Sequence, residues 1–143
     1  MKKTDVTFIL LGVIAIGFVL FGLSKPRLKR WAESVNCGNL MSSIGCGARM
    51  WAGDNSNHLA DNFLVMSNEL CNPKLLICPG DKIRKPADSW ATFTTNNCSY
   101  EILRPEMSDD DLTNAYFRCS IHGYLGFADR TVFDGKRRRT KWP

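Results

Sequence analysis

The hydrophobic pattern changes character twice along the chain. Residues 6–23, VTFILLGVIAIGFVLFGL, carry no charged side chain; they follow Lys2-Lys3 and stop where SKPRLKR begins. At about 1.5 Å per residue this run reaches roughly 27 Å, close to the ~30 Å of a bilayer's hydrocarbon core once Lys3 and Lys25 snorkel at its ends. The segment therefore predicts an uncleaved transmembrane helix over 6–25, because Phe21-Gly22-Leu23-Ser24-Lys25 lacks the small-residue pattern of a cleaved secretion signal. Pro26 is expected to begin or kink a second helical stretch. Beyond it Leu28, Trp31, Val35, Met41, Ile44, Ala48 and Trp51 recur at three- and four-residue intervals, with Gly38 where the stripe would otherwise continue, predicting an amphipathic helix over 27–52 that ends at Gly53-Asp54-Asn55.

After the helix the period shortens. DNFLVMSNEL (61–70) reads as a brief helix, KLLIC (74–78) as a strand closed by Pro79-Gly80-Asp81, and SYEIL (99–103) as another strand. SDDDL (108–112) reads as a capped turn. The stretch AYFRCSIHGYLGFADRTVF (115–133) alternates as an antiparallel meander does, with turns near His122-Gly123 and Asp129-Arg130. The expected class is α+β: a long N-terminal helix, half transmembrane and half amphipathic, packed on a small antiparallel β-sheet. The domain plan is a short N-terminus (1–5), the span (6–25), one globular domain (26–135) and a basic tail (136–143).

Charge sharpens this plan. The chain of 143 residues has a formal net charge of +5, but residues 1–30 carry six Lys/Arg against one Asp, and residues 136–143 carry five Lys/Arg and no acid. Residues 31–135 hold eight Lys/Arg against thirteen Asp/Glu, so the expected body is acidic between two basic ends. A nucleic-acid-binding fold would place its basic stripe on the body, so no specific nucleic-acid partner is expected. The tail KRRRTKWP reads as a solubilising tail, with anionic headgroups or nucleic acid as alternative contacts. Lys/Arg stand on both sides of the apolar run, and counting them leaves its orientation open.

The six cysteines are the main chemical signal. Cys37 and Cys46 lie about 180° apart around a helix and cannot bridge while it is intact. Six thiols allow fifteen full pairings, among which spacing does not choose. Cys119-x-x-His122, with Cys71, Cys78 and Cys98, offers donors for a tetrahedral zinc site, with Cys78, Cys119 and His122 as the candidates. No paired Cys-x-x-Cys knuckle accompanies them, so no metal or other cofactor is expected. His122 beside a cysteine offers a nucleophile and base, yet no orienting motif is present and His122-Gly123 has a turn explanation, so no catalytic residue is assigned. No phosphate loop, Gly-x-Ser-x-Gly or His-Glu-x-x-His occurs. Asp109, Asp110 and Asp111 lack the alternate spacing and glycine of a calcium loop and read as a solvated turn.

Three stretches together resemble the bacterial prepilin-like proteins of the type II secretion pseudopilin and type IV pilin class, in particular the group with a C-terminal His-Gly then Asp-Gly signature. VTFILLGVIAIG leading to Pro26 resembles the pilin spine. NCGNLMSSIGCGARMWAGDN (36–55) resembles that group's Cys-x-Asn-Asn-Leu stretch, and PKLLICPGD (73–81) with CSIHGYLGFADRTV (119–132) its Cys-Pro-x-Asp and Cys-Pro-x-His-Gly stretches. Asp5 occupies the place of the glycine before the cleaved bond, Leu10 that of the mature glutamate, and Arg130 that of the turn glycine. Prepilin processing is therefore not expected, nor is a tight type I′ turn at Arg130.

The resemblance implies a non-enzymatic, membrane-anchored structural or assembly component. Its N-terminus lies inside, its domain is periplasmic, and its partners are the bilayer and pseudopilin-type subunits met through the N-terminal helix. It also implies a Cys78–Cys119 disulfide; Cys71 with Cys98 is a second pairing with no motif behind it. The alternatives are a stand-alone anchored binding module and a cytoplasm-facing Cys/His zinc domain.

Overall fold

The computed structural model describes the backbone of residues 3–135 and 138–139, and the side chains of residues 12–13 and 25–135. The chain divides into two compact units, residues 1–32 and 33–143. Helix α1 (Lys3–Asp54) runs 52 residues with Pro26 inside it, so Pro26 starts no second helix. Lys, Arg and Leu around it are strong helix formers and hold the helix despite the one lost N–H bond. In the first unit, Leu28 and Trp31 are 63% and 67% exposed.

Among the described residues no helix is long and apolar enough to cross a membrane. This corrects the expected transmembrane helix, and with it the single-pass inner-membrane anchor and periplasmic domain. The described stretch of α1 that follows the run offers no span either, because Lys25, Arg27, Lys29, Arg30 and Glu33 crowd it, and charges at that density are costly in hydrocarbon. Most side chains of the 6–23 run lie outside the described residues.

In the second unit α1 ends at Asp54, where Asn55 folds its side-chain amide back onto the Trp51 carbonyl at 2.8 Å and Ser56 and Asn57 take left-handed backbone angles. The expected helix at 61–70 shrinks to α2 (Ser67–Leu70). Asn62 accounts for the loss, since its Oδ1 accepts from the Leu64 and Val65 amides and holds a turn there instead. The expected strand at 74–78 is a 3₁₀ turn, Pro73–Leu76. Asn72 caps it by accepting from the Lys74 amide at 2.9 Å, and Pro73 pre-sets the first helical φ before alternation can act.

The meander forms as expected. Strands β1 (Tyr100–Ile102), β2 (Ala115–Cys119), β3 (Leu125–Phe127), β4 (Val132–Phe133) and β5 (Arg138–Arg139) make one antiparallel sheet in sequential order. β5 falls inside what reads as a basic tail, pairing Val132 with Arg139. The class is α+β, one long helix and an antiparallel sheet. Arg130 adopts φ 69°, and the turn is closed by Asp129, which accepts from the Thr131 amide and hydroxyl.

A bulge in β2 organises the core. The register with β3 shifts between Ala115 and Phe117, so the consecutive residues Tyr116 and Phe117 are both fully buried. Phe117 meets Phe63, Tyr100 and Tyr116 edge-on, with centroids 6.4, 6.4 and 5.6 Å away. The same buried cluster contains Cys37, Met41 and Ile44 of α1.

Opposite Phe117, Gly126 has no room for a side chain: a Cβ there would stand 2.4 Å from the Phe117 ring. Gly126→Ala is expected to cost about 1–3 kcal/mol through overpacking, read from urea unfolding of the full chain. A variant as stable as the wild type would contradict this packing.

Candidate metal centre

Three segments distant in sequence converge on one buried point. Cys37 lies on the α1 face that also carries Met41, Ile44 and Ala48, all buried, at four-, seven- and eleven-residue spacing. Cys78 follows the 3₁₀ turn, Cys119 ends β2, and His122 occupies the β2–β3 turn. The three sulfurs and an imidazole nitrogen all lie within 4.8 Å of one another, with the cysteines fully buried and His122 half-buried. His122 Nδ1 is 3.2 Å from Cys78 Sγ and 3.9 Å from Cys119 Sγ. Gly80 permits this approach, because a Cβ there would stand 2.8 Å from the imidazole Cε1.

Each sulfur has its own polar neighbour. The Gly80 amide donates to Cys78 at 3.4 Å, the His122 amide to Cys119 at 3.4 Å, and the Tyr100 hydroxyl lies 3.8 Å from Cys37. The His122 ring is fixed against Tyr124, centroids 5.3 Å apart, and the Tyr124 hydroxyl bonds Ser34 of α1. The thiols also act on one another. Bonds from Cys37 and Cys78, against the opposing effect of burial, hold Cys119 far below the usual thiol range. The Cys37 thiol is driven far above it by its bonds to Cys119 and Cys78 and by burial. Cys78 is pushed up to about 11, chiefly by its bond to Cys119.

A buried carboxylate braces the Cys78 loop. The Cys78 amide donates to Ser99 Oγ at 3.0 Å, the Ser99 hydroxyl donates to Asp81 Oδ2 at 2.8 Å, and the Asp81 amide returns to the Cys78 carbonyl at 2.9 Å. Asp81 also accepts from the Ile83 and Arg84 amides and from the Arg84 guanidinium at 3.0 Å. Burial raises its pKa, but these donors outweigh burial and hold the carboxyl below the usual range.

Of the residues singled out from sequence, Cys78, Cys119 and His122 come together. Cys37, read there only as unable to pair with Cys46, joins them as a fourth donor; its place four residues before Met41 on the apolar stripe was the available signal. All six cysteines are free thiols. Cys71 and Cys98 stand apart: exposed Cys71 lines a cavity of about 720 Å³ with Cys46, whereas buried Cys98 lines one of about 660 Å³ with Phe63, Phe93 and Ile102. Asp111 accepts from Thr113 and Asn114, and Asp109 lies 3.9 Å from Arg49, so these acids serve their own loop and α1.

The centre offers thiolate and imidazole donors for a metal, sulfurs for a disulfide and a thiol–imidazole pair for nucleophilic chemistry. The three cavities described, including one of about 520 Å³ beside His58, are lined by none of the four residues. No family model, curated protein or solved structure matches the chain.

Because the folded Asp81 pKa is depressed, its contribution is present above the ordinary carboxylate pKa of about 3.9 and is lost as pH falls below it. Asp81→Asn is expected to cost about 1–3 kcal/mol at neutral pH, with the gap to the wild type closing in acid. Urea unfolding of both proteins at neutral pH and near pH 3 checks this; a gap independent of pH would contradict it.

Proposed function

We propose that this chain is a non-enzymatic structural subunit of the pseudopilin-like kind, joined to further subunits through helix α1. The observation that carries the reading is the order of elements: one unbroken helix from Lys3 to Asp54 leading into a short antiparallel meander. In this reading the Glu33–Asp54 part of α1 packs on the sheet. Its support is the buried cluster that Cys37, Met41 and Ile44 share with Tyr100, Phe117 and Cys119.

Two further observations favour a structural role. The Cys/His centre is buried, with its three thiols shielded from solvent. Leu28 and Trp31 expose apolar surface on the helix, just past an uncharged run at 6–23. Equivalent helices of neighbouring subunits cover these side chains in the assembly.

Each large apolar side chain buried at a contact contributes roughly 1.5–3 kcal/mol, so Trp31→Glu is expected to weaken self-association about tenfold or more. Ile83→Lys, at a site 89% exposed on the other unit, is expected to leave it unchanged. Sedimentation velocity of the full chain over a concentration series reads both. A wild type that stays monomeric throughout, or an Ile83→Lys effect equal to that of Trp31→Glu, would overturn the reading.

A further inference from the structure

We propose that Cys37, Cys78, Cys119 and His122 bind one Zn²⁺ ion in a closed, tetrahedral, structural site. A tetrahedron with Zn–S near 2.3 Å and Zn–N near 2.0–2.1 Å has edges of about 3.5–3.8 Å. The distances from His122 Nδ1 to two sulfurs, 3.2 and 3.9 Å, bracket that length, and all four donors lie within 4.8 Å of one another. With Nδ1 facing the sulfurs, the imidazole proton is assigned to Nε2.

The charge argument favours a cation. Three sulfurs share a fully buried volume, where several uncompensated anions side by side are prohibitive. Binding forms three Zn–S bonds and one Zn–N bond, and the thiol protons leave to solvent. The centre then carries one net negative charge, which the Gly80 amide, His122 amide and Tyr100 hydroxyl stabilise at one sulfur each. A Cys78–Cys119 disulfide would use two sulfurs and leave Cys37 and the imidazole with no role. Soft donors in a tetrahedron select zinc over magnesium or calcium. Four protein ligands and the full burial of the three cysteines make the site structural, not catalytic.

The ion joins α1, the loop after the 3₁₀ turn, and the β2 end with its turn, three segments far apart in sequence. Metal binding is accordingly coupled to folding of the body.

The test uses the full chain, purified under reductant after growth with added zinc. Elemental analysis is expected to give one zinc per chain, and X-ray absorption three sulfur ligands and one nitrogen. Co²⁺ replacing the zinc is expected to show the intense visible bands of tetrahedral thiolate coordination. Cys37→Ser and His122→Ala are expected to lose affinity by more than the roughly 10–100-fold that an outer-shell change costs, with Tyr100→Phe falling inside that range. His122→Cys retains the metal, as do Cys46→Ser, Cys71→Ser and Cys98→Ser. If Cys37→Ser does not fold, the absorption spectrum of the wild type decides alone. Substoichiometric zinc below about one-tenth, a nitrogen/oxygen shell, or a Cys78–Cys119 disulfide in protein kept under reductant would overturn the proposal. None of these outcomes bears on self-association, so this site and the assembly reading fail separately.

Discussion

Sulfur crowding is the constraint around which the second unit is organised. Three cysteines and one imidazole from distant parts of the chain occupy a volume a few ångströms across, with the sulfurs shut off from water. Such a volume tolerates little negative charge, so its protons and donors must be arranged in detail. Gly80 clears space for the imidazole and lends its amide to Cys78, while the His122 amide serves Cys119. Asp81 and Ser99 hold the Cys78 backbone, and Tyr124 fixes the His122 ring from the α1 side through Ser34. The supports come from α1, the Cys78 loop, Ser99 and the β2–β3 turn, so the centre depends on the whole unit being folded.

The sheet sets that geometry. In regular alternation Tyr116 and Phe117 would face opposite ways, and one would meet water. The β2 bulge buries both and leaves Phe117 and Cys119 in phase after it, with exposed Arg118 between them. Tyr116 then donates to the Ala60 carbonyl at 2.6 Å, tying the α1–α2 connection to the sheet. Gly126 yields its side-chain space to Phe117, which lets β3 run close against β2 and carry the His122 turn back over Cys119.

Elements with several residues of consistent pattern were legible in sequence: the amphipathic part of α1, β1, the β2–β4 meander and both of its turns. Local side-chain capping defeated the pattern at 61–65 and 73–76, where Asn62 and Asn72 satisfy backbone amides before periodicity can act. Pro26 did not break α1, since a single missing N–H is a small loss within a helix of 52 residues. Of the centre, Cys78, Cys119 and His122 could be singled out, because the last two are neighbours in sequence and the first sits in a turn motif. Cys37 could not be joined to them, since its partners depend on long-range folding and an apolar stripe treats cysteine as one more hydrophobe. The transmembrane expectation rested on the length of the 6–23 run, its lack of charge and its bracketing lysines, whereas among the described residues no helix is long and apolar enough to cross a membrane.

Sparse backbone pairing explains why such a body gains from a central staple. Its strands run two to five residues, α2 has four, and much of the chain between α1 and β1 is turns and single 3₁₀ turns. Ladders that short contribute little independent stability, and extended loops must be closed at an entropic cost before distant contacts form. The aromatic group around Phe117 offsets part of that cost on the β1–β2 side. The proposed ion, held by Cys37, Cys78, Cys119 and His122, would join α1, the Cys78 loop and the β2–β3 turn. It fixes their separation by bond length, which loosely interlocking side chains cannot do.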